Sequence, residues 1–299
     1  NNGNLDVFIV RFTGDGERLW GTYYGGEAWE YGFACSTDSI GSLFIAGNTN
    51  SHADIASPDA HQTVFGGDVD GFLARFTQDG QRVWGTYYGG EGDDDILDCT
   101  STLWGDVFIT GQAKSIVNIS SPGSFQPVMS GANDGLIAKF NREGTRIWGT
   151  YYGGIGGESL NTCAIDDSVN LYVAGQGSSS GLGTPGVYQQ TPVNYSQSGF
   201  VAKFDSAGQR EWATYYSGLG ADHTWCDVDT SWNIYVCGET ASTTMFSTPG
   251  SYQPIFGGGT MDCYLSRFVQ CLPPDTAGIV SGPDTVCKSA STVTFSVDH

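Results

Sequence analysis

The chain has 299 residues, of which 15% are charged, 13% are aromatic and 44 are glycine; it carries a formal net charge of −20. That length can bury a large single core, and the glycine and aromatic content is that of a β-protein with many tight turns. Nine of its 12 basic residues stand in two regular columns (Arg11, Arg75, Lys139, Lys203, Arg267 and Arg18, Arg82, Arg146, Arg210), which points to structural ion pairs or packed stems and argues against nucleic-acid binding, because no free basic patch remains for phosphates.

The first segment, NNGNLDVFIVRF, aligns with the later GGDVDGFLARF and SGANDGLIAKF, so the sequence opens in the middle of a repeat and reads as a piece of something longer. Trp20, Trp84, Trp148 and Trp212 recur every 64 residues in the phrases LWGTYYGG, VWGTYYGG, IWGTYYGG and EWATYYSG. A fixed period with a fixed aromatic skeleton marks one supersecondary unit stacked on copies of itself. From Tyr31 the unit reads YGFACSTD, SLFIAGNT, DGFLARF and QRVWGTYYGG, predicting four antiparallel strands, A to D. In strand D, Trp84, Thr86 and Tyr88 alternate with Val83, Gly85 and Tyr87. Large side chains on both faces call for a sheet covered on both sides.

Between B and C lies SPDAHQ, SPGSFQ, TPGVYQ or TPGSYQ, where a hydroxyl residue before Pro58, Pro122, Pro185 or Pro249 predicts one short helical turn. The preceding segments, 48–57, 112–120, 176–184 and 239–247, diverge completely and are expected to carry individuality. The last repeat supplies A, B and C, ending at Phe268. Five C strands against four each of A, B and D leave two closures open. Either four units close with a surplus strand, or the chain is an arc of a larger ring; the mid-repeat start favours the arc.

Antiparallel connections alternate ends, so the D–A and B–C loops share one face. There the acids Glu30, Asp94, Glu158 and Asp222 recur. One reading makes them acceptors for loop amides at the start of strand A. The other is a Ca²⁺ site, best placed at Asp93, Asp94 and Asp95 in the run EGDDDILD, although EF-hand spacing is absent. Cys35, Cys99 and Cys163 are expected as free thiols in strand A. Cys226 falls approximately opposite Cys237 if the A–B turn is Ser231-Trp232-Asn233, predicting a cross-strand disulfide. Spacing selects no pairing for Cys263, Cys271 and Cys287. The four histidines share no column and no catalytic arrangement is visible, so the chain reads as non-catalytic.

The patterns TPGxYQ, GGxxDGFxAKF, GxxxWxTYYGG and DxxxNxYVAG resemble the SBBP β-propeller repeat of secreted Bacteroidota-type proteins, over about residues 4–269. The tail AGIVSGPDTVCKSASTVTFSV resembles the first strands of a PKD-like module. The resemblance implies an all-β protein: a β-propeller segment of four-stranded blades over 1–270, then a linker and the start of an immunoglobulin-like β-sandwich over 271–299. It further implies a secreted cell-surface protein exported by type IX secretion, with no membrane insertion in this segment. The function expected is adhesion, or a structural role in an extracellular appendage, with other protein chains or glycans bound through the B–C loops. The competing reading is a secreted hydrolase or its accessory carbohydrate-binding propeller. Ser39, Ser168 and Ser206 sit in Asp-Ser-apolar tripeptides of the Bacteroidota O-glycosylation type, against a background of ordinary turn chemistry. No cofactor is required on this reading, with Ca²⁺ the one candidate.

Overall fold

A computed structural model describes residues 3–269, which form seventeen β-strands and no helix. Every sheet is antiparallel. The first pairs β1 (Val7–Phe12) with β2 (Arg18–Tyr24), in the C and D positions of the repeat. Three four-stranded sheets follow in A-B-C-D order. They are β3 (Glu30–Thr37), β4 (Leu43–Thr49), β5 (Asp70–Phe76) and β6 (Arg82–Tyr88); β7 (Asp94–Ser101), β8 (Val107–Ala113), β9 (Asp134–Phe140) and β10 (Arg146–Tyr152); and β11 (Glu158–Ile165), β12 (Leu171–Gly177), β13 (Ser198–Phe204) and β14 (Arg210–Tyr215). The fifth sheet has β15 (Asp222–Val228), β16 (Ile234–Thr240) and β17 (Asp262–Phe268).

Successive sheets pack face to face: β7 lies against β3 and β4, β11 against β7 and β8, and β15 against β11 and β12. Parallel bridges stitch the first four sheets in succession, joining Leu5 to Trp29, Val69 to Asp93 and Asn133 to Gly157. The tryptophan column supplies a second latch. Trp20, Trp84 and Trp148 donate from Nε1 to the carbonyls of Gln78, Arg142 and Ser206, at 3.0, 2.9 and 3.2 Å, each in the C–D hairpin of the following sheet. Their rings lie on the hairpin glycine, where a Cβ at Gly144 would meet Trp84 at 2.9 Å. That glycine also has φ +84°, so both the turn and the ring exclude a side chain. Edge-on aromatic pairs fill the space between latches, as in Tyr24 on Phe76, Tyr88 on Phe140 and Tyr152 on Phe204.

Two local expectations need revision, and strand A carries a further irregularity. The Ser/Thr-Pro segments form β-turns, closed by Ala60 N–H to Ser57 O and Ser124 N–H to Ser121 O at 3.1 Å each. Gly123, Gly186 and Gly250, two residues after Ser or Thr, have φ near +80° (80°, 82° and 82°), the type II geometry, which a helix does not permit. Next, the hydroxyl before proline does not cap anything helical. Ser57 and Ser121 accept from the N–H of Gly85 and Gly149, at 3.0 and 3.1 Å, in strand D. The B–C connection thus covers the outer edge of strand D, satisfying a ladder otherwise open to pairing with another chain. Finally, strand A carries a bulge at Gly32/Ala34, Ile96/Asp98 and Leu160/Thr162, while the shorter β15 has none. The one-residue deletion before Cys226 removes the bulge and keeps the rest in register.

Candidate functional site: the loop end of the stacked sheets

The periodic acids stand where strand A begins and bind the loop end together. Glu30 accepts from Gly26 N–H at 2.9 Å and from the hydroxyls of Thr49 and Ser51 at 2.6 Å each. Asp94 accepts from Gly90 N–H at 2.7 Å and Ser115 Oγ at 2.5 Å, Glu158 from Gly154 N–H at 2.7 Å and Ser179 N–H at 3.0 Å, and Asp222 from Gly218 N–H at 2.7 Å and Ser242 Oγ at 3.0 Å. Each acid ties its D–A loop to its own B–C loop. All four are buried, and burial pushes the carboxyls of Asp94, Glu158 and Asp222 above their ordinary range.

A second acid tier sits at the start of strand C. Asp70 and Asp134 accept from Gly66 N–H and Ser130 N–H at 2.8 Å each, and from Gln62 and Gln126 side chains at 3.0 and 2.6 Å. The two tiers straddle a glycine: a Cβ on Gly153 would lie 2.6 Å from both Asp134 Oδ1 and Glu158 Oε2. Desolvation, reinforced by the neighbouring Asp94, raises the Asp70 carboxyl to about 6. In the fourth copy both partners change together. Ser198 takes the place of the acid and Ser217 that of the glycine, and Ser217 Oγ becomes the acceptor for Gln189 Nε2 at 3.2 Å.

The B–C loops, expected to diverge completely, share a device that their sequences conceal. Ser51, Ser115, Ser179 and Ser242 are buried in the acid clamp. Ile55, Ile119 and Leu182 are buried under the following turn. Tyr24 and Tyr88 donate to the carbonyls of Ile55 and Ile119 at 2.8 and 2.6 Å, and Arg82, Arg146 and Arg210 reach the same stretch from strand D. The residue before the apolar anchor turns left-handed: Asp54, Asn118, Gly181 and Met245 have φ of 68°, 68°, 90° and 88°. A serine at intervals of 64, 64 and 63 residues is the signal that would have revealed this. The individual side chains are confined to the tips, at His52, Ile116, Val117, Ser180, Thr243 and Thr244, all exposed.

The three candidate Ca²⁺ ligands do not converge. Asp93 pairs with Lys114 at 2.7 Å, Asp94 belongs to the clamp, and Asp95 accepts from Asn48 and Gln112 amides at 2.6 and 2.7 Å on the innermost strands. Among the described residues no group of three or more His, Cys, Asp or Glu is placed to hold a metal. The three do not form the expected Ca²⁺ site, because each carboxylate is already engaged by donors of the chain.

The Cys226–Cys237 bridge is likewise corrected. Cys226 pairs across the ladder with Val236, and Cys237 with Trp225. Neighbouring strand residues point to opposite faces, so Cys226 is buried against the preceding sheet while Cys237 is exposed on the far side, both as free thiols. The A–B turn closes from Asp229 to Asn233, which shifts the pairing by one residue from that expected. Cys99 and Cys163 are buried free thiols, and Cys35 is free but exposed. Cys271, Cys287 and the PKD-like segment lie outside the described residues. Ser39, Ser168 and Ser206 are exposed at hairpin tips, and Ser39 Oγ donates to Leu103 O at 2.6 Å.

Seven of the nine residues in the basic columns are engaged by the scaffold, while Arg18 and Arg267 are exposed. Arg11 and Arg75 donate to Gln78 O and Arg142 O of the next sheet, at 2.9 and 3.3 Å. Lys139 and Lys203 pair with Asp106 and Glu211, at 3.1 and 2.9 Å, over the rings of Phe108 and Tyr172. Among the described residues, no helix is long and apolar enough to cross a membrane.

No family model matches this chain, and no curated protein matches it. Among solved structures it is similar to a protein of unknown function from Bacteroides caccae, with a TM-score of 0.41 and 10% identity over 80% of this chain and 69% of that chain. A likeness at that level leaves function to be read from the residues themselves.

Proposed function

We propose that the stacked sheets are an arc of β-propeller blades of the SBBP type, belonging to a secreted cell-surface protein that acts in adhesion or as a structural part of an extracellular appendage. What supports the propeller reading is the repeated face-to-face packing, with Trp20, Trp84 and Trp148 each locking one sheet to the hairpin of the next. The observation that carries the functional reading is the fate of the polar columns. The periodic acids and most arginines and tyrosines of the repeat are engaged by bonds within the chain, and the paired acids that might serve acid–base chemistry are buried in clamps. The tips of the B–C loops carry exposed side chains that differ between copies, where a glycan or a neighbouring protein chain is to be met.

The test is to replace the tip residues His52, Ile116, Val117, Ser180, Thr243 and Thr244 with serine or glycine while leaving the buried anchors in place. Surface attachment or appendage assembly is expected to fall, with the thermal transition unchanged. Unaltered attachment and assembly would reduce the stack to a spacer.

A further inference from the structure

We infer that the hairpin end opposite the B–C loops carries a site for a neutral saccharide, built by Trp104, Asp106 and Arg142 of the third sheet. The site is separate from the B–C tips, because alternating antiparallel connections put the A–B and C–D hairpins at the other end of the sheets.

Three departures from the repeat converge there. Trp104 stands in the column of Ile40, Ser168 and Ser231, Asp106 in that of Ser42, Asn170 and Asn233, and Arg142 in that of Gly14, Gln78 and Ser206. In the other A–B hairpins an opening aspartate accepts two turn amides: Asp38 from Ile40 and Ser42 at 3.1 and 2.8 Å, and Asp166 and Asp229 likewise. The third sheet closes the same turn with Thr102 Oγ1, which accepts from Asp106 N–H at 3.1 Å, and so carries its carboxylate at the far end of the turn. There Asp106 pairs with Lys139 at 3.1 Å and keeps 34% of its side chain exposed. Arg142 lies along Gly105, where a Cβ would meet its Cγ at 2.8 Å. It pairs with the buried Asp38 at 3.0 Å and keeps 28% of its side chain exposed. Trp104, between Leu103 and Gly105, is itself 77% exposed. The hairpins of the sheets on either side, 38–42 and 166–170, are both in place, and Ser39 N–H donates to Leu103 O at 3.1 Å. The exposure of the indole therefore does not arise at an end of the stack. The core gains nothing from it, and serine serves the same turn position in two other sheets.

The chemistry of these groups selects the ligand. An indole offers a flat apolar face to the C–H face of a pyranose. A guanidinium and a carboxylate, each held by its own ion-pair partner, offer donors and acceptors to the hydroxyls at the edge of the sugar ring. Charge balances within the site, with Asp38 and Asp106 against Lys139 and Arg142, while the chain as a whole carries −20; an anionic ligand is disfavoured. A protein or lipid surface would require a broader apolar field than Trp104, Leu103 and Ile40 set among ion pairs. An exposed site of one ring and two polar groups corresponds to a dissociation constant of about 1 mM, which display of many copies on a surface would strengthen by avidity.

The experiment follows the indole N–H signal of Trp104 in the full chain by NMR, assigned through its loss in Trp104→Phe. The probes are cello-, manno-, galacto- and chitotetraose, with tetragalacturonate as the anionic control. At least one neutral tetraose is expected to shift the signal saturably below about 10 mM, and tetragalacturonate to leave it in place. Saturation transfer to that tetraose should fall about tenfold in Trp104→Ala and about threefold in Asp106→Asn, and persist in Trp104→Phe, which keeps a ring. The thermal transitions of these variants should stay close to that of the parent, because the altered side chains are exposed or half-exposed. Serine or glycine at the B–C tips should leave the titration unchanged, so the failure of either site is read separately. The inference is overturned if no neutral tetraose moves the signal, if Trp104→Ala binds as the parent does, or if tetragalacturonate alone binds. Oligomers at about 100 μM that Trp104→Ala abolishes, without saccharide binding, would assign the patch to a second copy of the chain and overturn it as well.

Discussion

At the residue scale, the acids show how a polar group becomes scaffold. Asp70 is fully buried, and burial followed by the nearby Asp94 raises its carboxyl to about 6, above the usual value of about 4. The folded state therefore holds a proton that the unfolded chain releases between those values. Its contribution to stability is fully present below about pH 4 and is lost as pH rises through about 6. Asp70→Asn removes that dependence. Relative to the parent, the variant should gain about 1–3 kcal/mol between pH 4 and pH 7.5 by urea denaturation. A difference that stays flat with pH would refute the assignment. Gly153 offers a second test, because its missing Cβ leaves room for Asp134 and Glu158. Gly153→Ser alone should cost about 1–3 kcal/mol through overpacking. Adding Asp134→Ser recreates the Ser198 and Ser217 arrangement of the fourth copy, and should recover about 1 kcal/mol or more as non-additivity. Strict additivity would mean that the two changes in the fourth copy are independent.

At the element scale, the B–C connection is as much a part of each sheet as its strands. It covers the edge of strand D through Ser57 or Ser121, anchors a buried apolar residue and accepts from a tyrosine and an arginine. Shortening 176–183 as if it were free loop would delete Ser179 and Leu182, both buried, and the carbonyl that accepts from Arg210 at 2.9 Å. Ile119→Ala is expected to cost about 2–5 kcal/mol by chemical denaturation, whereas serine at Ile116 and Val117 should stay within about 0.5 kcal/mol. Equal costs would mean that the loop has no separate anchor and tip. The left-handed Met245 stands in the column of Asp54, Asn118 and Gly181.

At the scale of the whole molecule, the stack is a one-dimensional array in which each sheet contacts its neighbours and the first three interfaces repeat the same latch. Each interior face is covered by the sheet that follows it.

The 64-residue period, the strand order, the alternation of strand D and the structural fate of the basic columns were legible in the sequence, because backbone periodicity and side-chain columns are local properties. The acceptor role of Glu30, Asp94, Glu158 and Asp222 was one of two readings there. The clamp geometry selected it, because hydrogen-bond partners about twenty residues apart are set by folding. Three features belonged to the tertiary structure alone. Ser/Thr-Pro became a turn because strand D needed its edge covered. The loops concealed a common anchor because serine and a variable apolar residue make a weak signal among polar neighbours. Cys226 and Cys237 ended on opposite faces because a one-residue difference in hairpin register reverses the direction of a strand side chain.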